Sequence, residues 1–179
     1  GGSGSDEVGS LVGLIRGGNP LAADLYSINS DSHGSSDVGG LVGQINNGEI
    51  TRSYSVSPAE VTGSENTEGV LLGMLYGGSV TNSYWQIGVQ PDQSDGGSGE
   101  TSQNLKQQSS YTSWDFNSVW QRCPGTNSGY PFLRGFDGYA CGEPAVGSPA
   151  PVDRNLNPDG LELSVYADHE QDRELNVSF

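Results

Sequence analysis

The chain has 179 residues, of which 28 are glycine and 32% are hydrophobic, so it is long enough for one or two small domains but not for a large core. Its 22 acidic residues outnumber its 7 lysines and arginines, and the formal net charge of −15 argues against nucleic acid and anionic membrane surfaces as partners, because both attract basic side chains. Apolar runs are only a few residues long, as at 70–72, so the sequence predicts no membrane span.

Residues 1–93 contain a core that is framed by glycines and recurs every 30 residues. The framing glycines are Gly9 and Gly13, Gly39 and Gly43, and Gly69 and Gly73. A fixed period of this size predicts a solenoid, in which each repeat buries its apolar side against its neighbours. Alternating runs at 49–54 and 79–84 favour strands over helices. We therefore expect an all-β fold, a short parallel β-helix of three coils, right-handed by the general preference of such crossovers.

The centre of each core is a leucine, and these leucines are expected to stack inside the coils. They are Leu11, Leu41 and Leu71. The next positions, Val12, Val42 and Leu72, form either a second internal ladder or an outward row. The first core begins at Val8 with no capping segment before it. Because open ends of β-stacks invite edge pairing, we expect this chain to be part of a longer solenoid or its first end to be covered by something else.

Residues 94–142 are predicted to form a C-terminal cap. The segment 101–108 is the best helix candidate in the chain, with Thr101 or Ser102 as its N-cap. The aromatic residues Tyr111, Trp114, Phe116 and Trp120 follow at core-like spacing. We expect them to plug the C-terminal end of the coil stack. The alternative is that Trp85, Trp114 or Trp120 forms an exposed platform on which a sugar ring stacks.

These motifs together resemble the GLUG-repeat proteins, a family common among bacterial surface and adhesin-like proteins. The Gly-Leu-x-Gly core is complete at Gly40-Leu41-Val42-Gly43, whereas residues 10–13 and 70–73 lack its first glycine. Ser83-Tyr84-Trp85, Leu105-Lys106-Gln107-Gln108, Trp114-Asp115-Phe116, Trp120 and Gly129-Tyr130-Pro131-Phe132-Leu133 resemble the block that closes such repeats. The resemblance covers residues 8–134 and implies a secreted or cell-surface β-solenoid associated with adhesion, without catalytic residues to transfer.

The two cysteines, Cys123 and Cys141, are 18 residues apart and predict a disulfide that closes the cap in an oxidising compartment. The alternative is two reduced, buried thiols. A zinc site is not expected, because His33 and His169 are distant in sequence and no second pair of cysteines exists.

The remaining sequence predicts a proline-rich linker at 143–159 and a β-hairpin at 160–179. The hairpin either docks on the solenoid, begins a further domain or adds its strands to a neighbouring molecule. Oxygen-bearing side chains alternate at the end of the linker, at Asp153, Asn155, Asn157 and Asp159. Such ligands suit Ca²⁺, although the spacing does not fit an EF-hand loop and an Asx-rich turn is the alternative.

The sequence predicts a non-catalytic module of adhesion, binding or display, located outside the cell or on a bacterial surface. A ligand such as a host or matrix glycan or protein would contact Tyr54, Tyr84 and Trp85. The first alternative is a structural subunit of an extracellular filament, self-associating through the solenoid end and the hairpin. The second is a polysaccharide-active enzyme, for which the nearest stacked carboxylates are Glu7 and Asp37, expected on a solvated edge.

Overall fold

The computed structural model describes residues 2–3, 6–56, 60–63 and 67–135. The chain forms two compact units, Gly1–Leu133 and Arg134–Phe179, and only residues 134 and 135 of the second unit are described. Cys141, the linker, the predicted Ca²⁺ ligands and the C-terminal hairpin lie outside the described residues.

The first unit is all-β apart from short helical turns, and its strands follow the three sequence repeats. Strand β1 (Gly2–Ser3) precedes them. Repeat 1 contains β2 (Val8–Gly9), β3 (Val12–Arg16), β4 (Leu21–Ala23), β5 (Tyr26–Ile28) and β6 (Asp31–His33). Repeat 2 contains β7 (Val38–Gly39), β8 (Val42–Asn46), β9 (Gly48–Thr51), β10 (Tyr54–Val56) and β11 (Glu60–Thr62). Repeat 3 contains β12 (Glu68–Gly69), β13 (Leu72–Leu75), β14 (Gly78–Thr81) and β15 (Tyr84–Gln86).

The segment after the repeats contains shorter elements. These are β16 (Ser98–Glu100), the helix α1 (Ser102–Leu105), two 3₁₀ turns (Gln108–Ser110 and Asn127–Gly129), β17 (Trp120–Gln121) and β18 (Phe132–Leu133). Thr101 caps α1 as predicted, because its side-chain oxygen accepts a hydrogen bond from the Asn104 N–H at 3.1 Å.

Corresponding strands of the repeats pair in five parallel sheets. The strand orders are β1-β6-β11, β16-β15-β10-β5, β12-β7-β2, β13-β8-β3 and β14-β9-β4. Val42 pairs with Val12 on one side and with Leu72 on the other, so the register follows the 30-residue period of the sequence. The all-β fold and its parallel pairing are therefore confirmed.

The glycines that frame each core are required by close backbone packing. A Cβ atom added at Gly39 would lie 1.7 Å from the Val42 carbonyl oxygen, and one at Gly69 would lie 1.8 Å from that of Leu72. Neither position accepts a side chain without backbone movement, because backbone oxygen cannot move aside as a flexible side chain can.

The leucine ladder is buried in only two of its three repeats. Leu41 and Leu71 have no exposed surface, whereas Leu11 is 55% exposed. Repeat 1 has a neighbouring repeat on one side only, so Leu11 departs from the predicted internal position. Val42 and Leu72 are fully buried, which favours the second internal ladder over the outward row.

Residues 93–100 cover the outer side of repeat 3. The Val70 N–H donates to the Gln93 carbonyl at 2.7 Å, and the Asp95 N–H donates to the Leu72 carbonyl at 3.0 Å. Strand β16 extends the same cover by pairing with β15. This segment does not continue the glycine-framed core, yet it satisfies backbone groups that the last repeat would otherwise leave open.

Candidate functional site

Three tyrosines occupy the same position in the three repeats and form one face of the sheet β5-β10-β15. Tyr54 pairs in register with Tyr26 on one side and Tyr84 on the other. The rings of Tyr26 and Tyr54 are stacked, with centroids 5.6 Å apart and an interplanar angle of 12°. This row is the face on which the sequence predicted a ligand.

The tyrosine face is covered by the segment 101–133, which we call the clasp. Tyr54 is fully buried and Tyr84 is 8% exposed. Trp85 is half-buried and packs against the internal cluster on the opposite side of its strand. Of the predicted ligand residues, Tyr54 and Tyr84 therefore lie in the interior, because a row of large rings is more stable when it packs against the clasp than when it faces water.

The clasp contributes its own aromatic side chains to this cluster. Trp114 and Trp120 have ring centroids 4.2 Å apart, and Tyr111 lies 4.5 Å from Trp114. All three are buried, and Trp120 has no exposed surface. The expectation that Trp114 or Trp120 forms an exposed platform for a sugar ring is therefore not met.

Hydrogen bonds join the clasp to each of the three repeats in turn. The Trp120 indole donates to Asp24 of repeat 1 at 2.9 Å, and the Trp114 indole donates to the Asn82 carbonyl of repeat 3 at 2.7 Å. The Tyr54 hydroxyl of repeat 2 donates to the Pro131 carbonyl at 2.5 Å. The clasp thus runs along the side of the repeats, whereas the sequence predicted a plug at their C-terminal end, where residues 93–100 lie instead.

Asp24, which accepts the hydrogen bond from Trp120 of the clasp, also forms an ion pair with Arg52. Arg52 holds Asp24 in a bidentate pair, with its Nε 2.9 Å from one carboxylate oxygen and its second nitrogen 2.8 Å from the other. Burial opposes ionisation of Asp24, but the hydrogen bonds from Arg52 and Trp120 and the charge of Arg52 outweigh it, and the pKa of Asp24 is lowered. Asp24 and Arg52 both have positive φ, 58° and 47°, so each stands at the turn between two strands.

The buried phenols of the cluster resist ionisation. Burial raises the pKa of Tyr54 well above its ordinary value, and burial likewise raises that of Tyr111. Both hydroxyls donate hydrogen bonds to carbonyl oxygens, Tyr54 to Pro131 and Tyr111 to Leu105. Both hydroxyls thus act as structural hydrogen-bond donors within the cluster.

The two stacked carboxylates considered for sugar chemistry occupy different surroundings. Glu7 is exposed, whereas Asp37 is 6% exposed, which contradicts the expectation of a solvated edge. The side-chain amide of Gln44 donates to the Asp37 carboxylate, and the Asp37 N–H donates to the Thr67 hydroxyl at 2.6 Å. The Asp37 carbonyl also accepts from the Val8 N–H of repeat 1 at 3.1 Å. Asp37 therefore fixes the turn before the second core, because it bonds to residues of the repeats on both sides.

The sequence also raised the questions of a metal site and of a disulfide at Cys123. Within the described ranges, no three histidine, cysteine, aspartate or glutamate side chains are grouped closely enough to hold a metal ion. Cys123 is buried, and its predicted disulfide partner, Cys141, lies outside the described residues.

A shallow, open concavity of about 270 Å³ lies between Glu68, Met74 and the covering segment 93–95. Both of its carboxylates are used structurally: Glu68 accepts from the Gly63 N–H and Asp95 from the Leu75 N–H.

Repeat 1 exposes two large hydrophobic side chains. Leu11 is 55% exposed and Leu21 is 62% exposed. Strands β2, β3, β4 and β5 each lie at the end of their sheets, and β1 pairs only with β6. Sequence analysis anticipated an open end here and a cover at the other end, but it assigned that cover to the helix and the aromatic residues, because residues 93–100 carry no repeat signal.

Comparison with protein-family models, curated proteins and solved structures finds no match for this chain. Among the residues that the structure describes, no helix has the length and apolar character needed to cross a membrane.

Proposed function

We propose that this chain is a non-catalytic β-solenoid module of the GLUG-repeat type that acts outside the cell in adhesion or display. The observation that carries the proposal is the shared register of five parallel sheets, each built from corresponding strands of successive repeats. A stack of this kind is a rigid element whose side faces and ends remain available for contacts.

The clasp supports a role that requires rigidity. It bonds to Asp24, Tyr54 and Asn82, one residue from each repeat, and so resists separation of the repeats along the stack. A module that holds a ligand or a neighbouring domain at a distance from a cell surface needs such resistance. The proposed disulfide between Cys123 and Cys141 fits the same extracellular setting.

Because Tyr54 and Tyr84 are buried, we place the ligand contact of this proposal on exposed residues instead. Tyr76 is 59% exposed and Ile87 is 41% exposed, both in or just after repeat 3. Exposed aromatic side chains are common anchors in protein and sugar recognition. Host or matrix glycans and proteins are the ligand classes to examine first.

A bead-adhesion assay tests this function. Beads that carry the protein are expected to bind at least one member of a panel of matrix proteins and glycans above albumin-coated beads, and Tyr76→Ala is expected to reduce that binding. Tyr76→Phe is the matched control, since it keeps the ring and removes only the hydroxyl. Failure to bind any member of the panel would count against adhesion.

The solenoid itself has a separate test in hydrogen exchange. Amides of β8, which is paired on both sides, should exchange more slowly than those of β3, which is paired on one side. Equal protection of the two strands would contradict the proposed stacking in solution.

A structural role in an extracellular filament is the second candidate. The exposed Leu11 favours it, because its counterparts Leu41 and Leu71 are fully buried and Leu11 thus marks a side of the described stack on which another molecule can pack. If residues 160–179 supply the contact from the next molecule, their deletion should abolish assembly into rods under the electron microscope. Rods that survive this deletion would exclude the C-terminal segment as the donor.

A further inference from the structure

A row of three side chains crosses the stack where the strands β3, β8 and β13 end. Arg16 of β3 pairs in register with Asn46 of β8. Tyr76 directly follows β13, and its N–H donates to the Ile45 carbonyl at 2.8 Å, so Tyr76 lies next to Asn46. The residues immediately before the row pack into the internal cluster, and they are Ile15, Ile45 and Leu75. Since successive side chains of a strand point to opposite sides, the row itself points outwards.

All three side chains of this row, which we call the outer strip, reach solvent. Arg16 is exposed, Asn46 is half-buried and Tyr76 is 59% exposed. The Asn47 side-chain amide donates to Oδ1 of Asn46 at 3.1 Å, so the Asn46 side-chain nitrogen is the group that can donate to a ligand. The outer strip thus presents an aromatic ring, an amide and a guanidinium in one line.

The concavity of about 270 Å³ adjoins the tyrosine end of the outer strip. Met74 lines the concavity and precedes Tyr76 by two residues, so both side chains point to the same side of the chain. The carboxylates of Glu68 and Asp95 also line it, and each accepts a backbone N–H that fixes its position. Because a carboxylate accepts more than one hydrogen bond, both can also accept from a ligand.

We propose that the outer strip and the concavity bind a neutral, linear polysaccharide that lies along the stack. This inference rests on the adhesive function proposed above and names the class of its ligand. Neighbouring strands are about 4.8 Å apart, which is close to the length of one pyranose residue in an extended chain, so the backbones at Arg16 and Tyr76 are about 10 Å apart. One sugar ring packs its apolar face on Tyr76, and its neighbours bond through their hydroxyls to Asn46 and Arg16.

Charge and backbone pairing favour this ligand over other classes. The formal net charge of −15 and the two carboxylates of the concavity repel polyanions, including acidic polysaccharides. A peptide strand needs unpaired backbone groups at a sheet edge, whereas β8 in the middle of the strip is paired on both sides. The hydroxyls of a neutral sugar both donate and accept, so they suit the carboxylates at one end and Asn46 and Arg16 at the other.

Isothermal titration calorimetry of the full chain tests the proposal with β-1,4-linked oligosaccharides of glucose, mannose and N-acetylglucosamine, each from two to six residues long. At least one series should bind. Its affinity should rise up to about four residues and then level off, because the three positions of the strip and the concavity span about that length. Oligogalacturonic acid is the acidic comparison and should bind more weakly.

Variants assign the binding to the outer strip. Tyr76→Ala should weaken binding of the tetrasaccharide about tenfold and Arg16→Ala about fivefold, because the first removes the stacked ring and the second removes hydrogen bonds. Arg16→Ala should leave binding of the disaccharide unchanged, since a disaccharide occupies the concavity and Tyr76. Gln103→Glu is the control, because it lowers the net charge by the same single unit on an exposed residue of α1 and should not change the affinity. The circular dichroism of all variants should match that of the original chain, since the replaced side chains are exposed.

The outcomes separate this proposal from the adhesive function on which it rests. Tighter binding of oligogalacturonic acid overturns it, and so does equal affinity of the original chain and Arg16→Ala for every length. If no oligosaccharide binds but the beads still bind a matrix protein, the polysaccharide site is overturned and adhesion stands. If neither the titration nor the beads show binding, both proposals fail.

Discussion

The Pro131 carbonyl offers a sharp test of how the clasp is held, because it accepts hydrogen bonds from two donors. The Tyr54 hydroxyl lies 2.5 Å from this oxygen and the Asn127 side-chain nitrogen lies 3.0 Å from it. Tyr54→Phe leaves the second donor in place, so it should lower the free energy of unfolding by about 1 kcal/mol. Asn127→Gly should cost a similar amount, and glycine suits the positive φ of 49° at this position.

The double variant removes both donors and leaves a buried carbonyl without a partner. Its cost should exceed the sum of the single costs by about 1–2 kcal/mol, the penalty of desolvating an unpaired acceptor. Urea unfolding followed by tryptophan fluorescence measures all four proteins, and Trp114 and Trp120 report directly on the clasp. Tyr76→Phe is the control, since its ring is 59% exposed and its loss of a hydroxyl should cost less than about 0.5 kcal/mol. Additive costs, or a Tyr54→Phe cost no larger than that of the control, would refute this account.

Three further outcomes follow from the burial and charge of the repeats. Leu41→Ala should lower the free energy of unfolding by about 2–5 kcal/mol in urea, because Leu41 is fully buried between two repeats. The raised pKa values of Tyr54 and Tyr111 mean that their stabilisation is complete below about pH 10 and is lost as the pH rises toward those values, which tyrosinate absorbance and circular dichroism will follow. The lowered pKa of Asp24 predicts stabilisation that is present above about pH 4 and lost as the pH falls through its folded value, and Asp24→Asn should remove this part of the acid-unfolding curve.

The register of the sheets was predictable because it is set by periodic residues. The core glycines recur at a fixed interval, and each is needed where two backbones approach too closely for a side chain. The sequence places Tyr26 two positions late relative to Tyr54 and Tyr84, which suggests a longer loop after Gly18. The register bears out this shift, because Tyr26 pairs with Tyr54, 28 residues away, and the 30-residue interval returns where Val38 pairs with Glu68.

The position of the clasp on the side of the repeats could not be predicted from the spacing of its residues. The aromatic residues of segment 101–133 clearly needed a buried environment, but nothing in their spacing says which surface they cover. The signal that was available is the row of tyrosines at one position of the repeats, since a regular row of large rings creates a side face that water disfavours. Interpreting Tyr54 and Tyr84 as exposed overlooked that cost. Asp37 was misplaced for a different reason: its position just before the repeat core suggested a loop at a solvated edge, whereas Gln44 supplies a buried partner for its carboxylate.

The leucines at the two ends of the repeats differ in burial, and the periodic part of the sequence does not predict this difference. Translation along the stack gives every repeat the same apolar residue at the same position, so the sequence alone assigns Leu11, Leu41 and Leu71 one environment. Their burial depends on what lies beyond the outermost repeats, which is decided by segments outside the period. Residues 93–100 provide that cover for Leu71, and a Cβ atom added at Gly97 would lie 2.9 Å from the Leu71 side chain. Leu11 has the residue type of a buried position, yet no described segment covers it, so its exposure follows from its place in the outermost described repeat and not from its residue type.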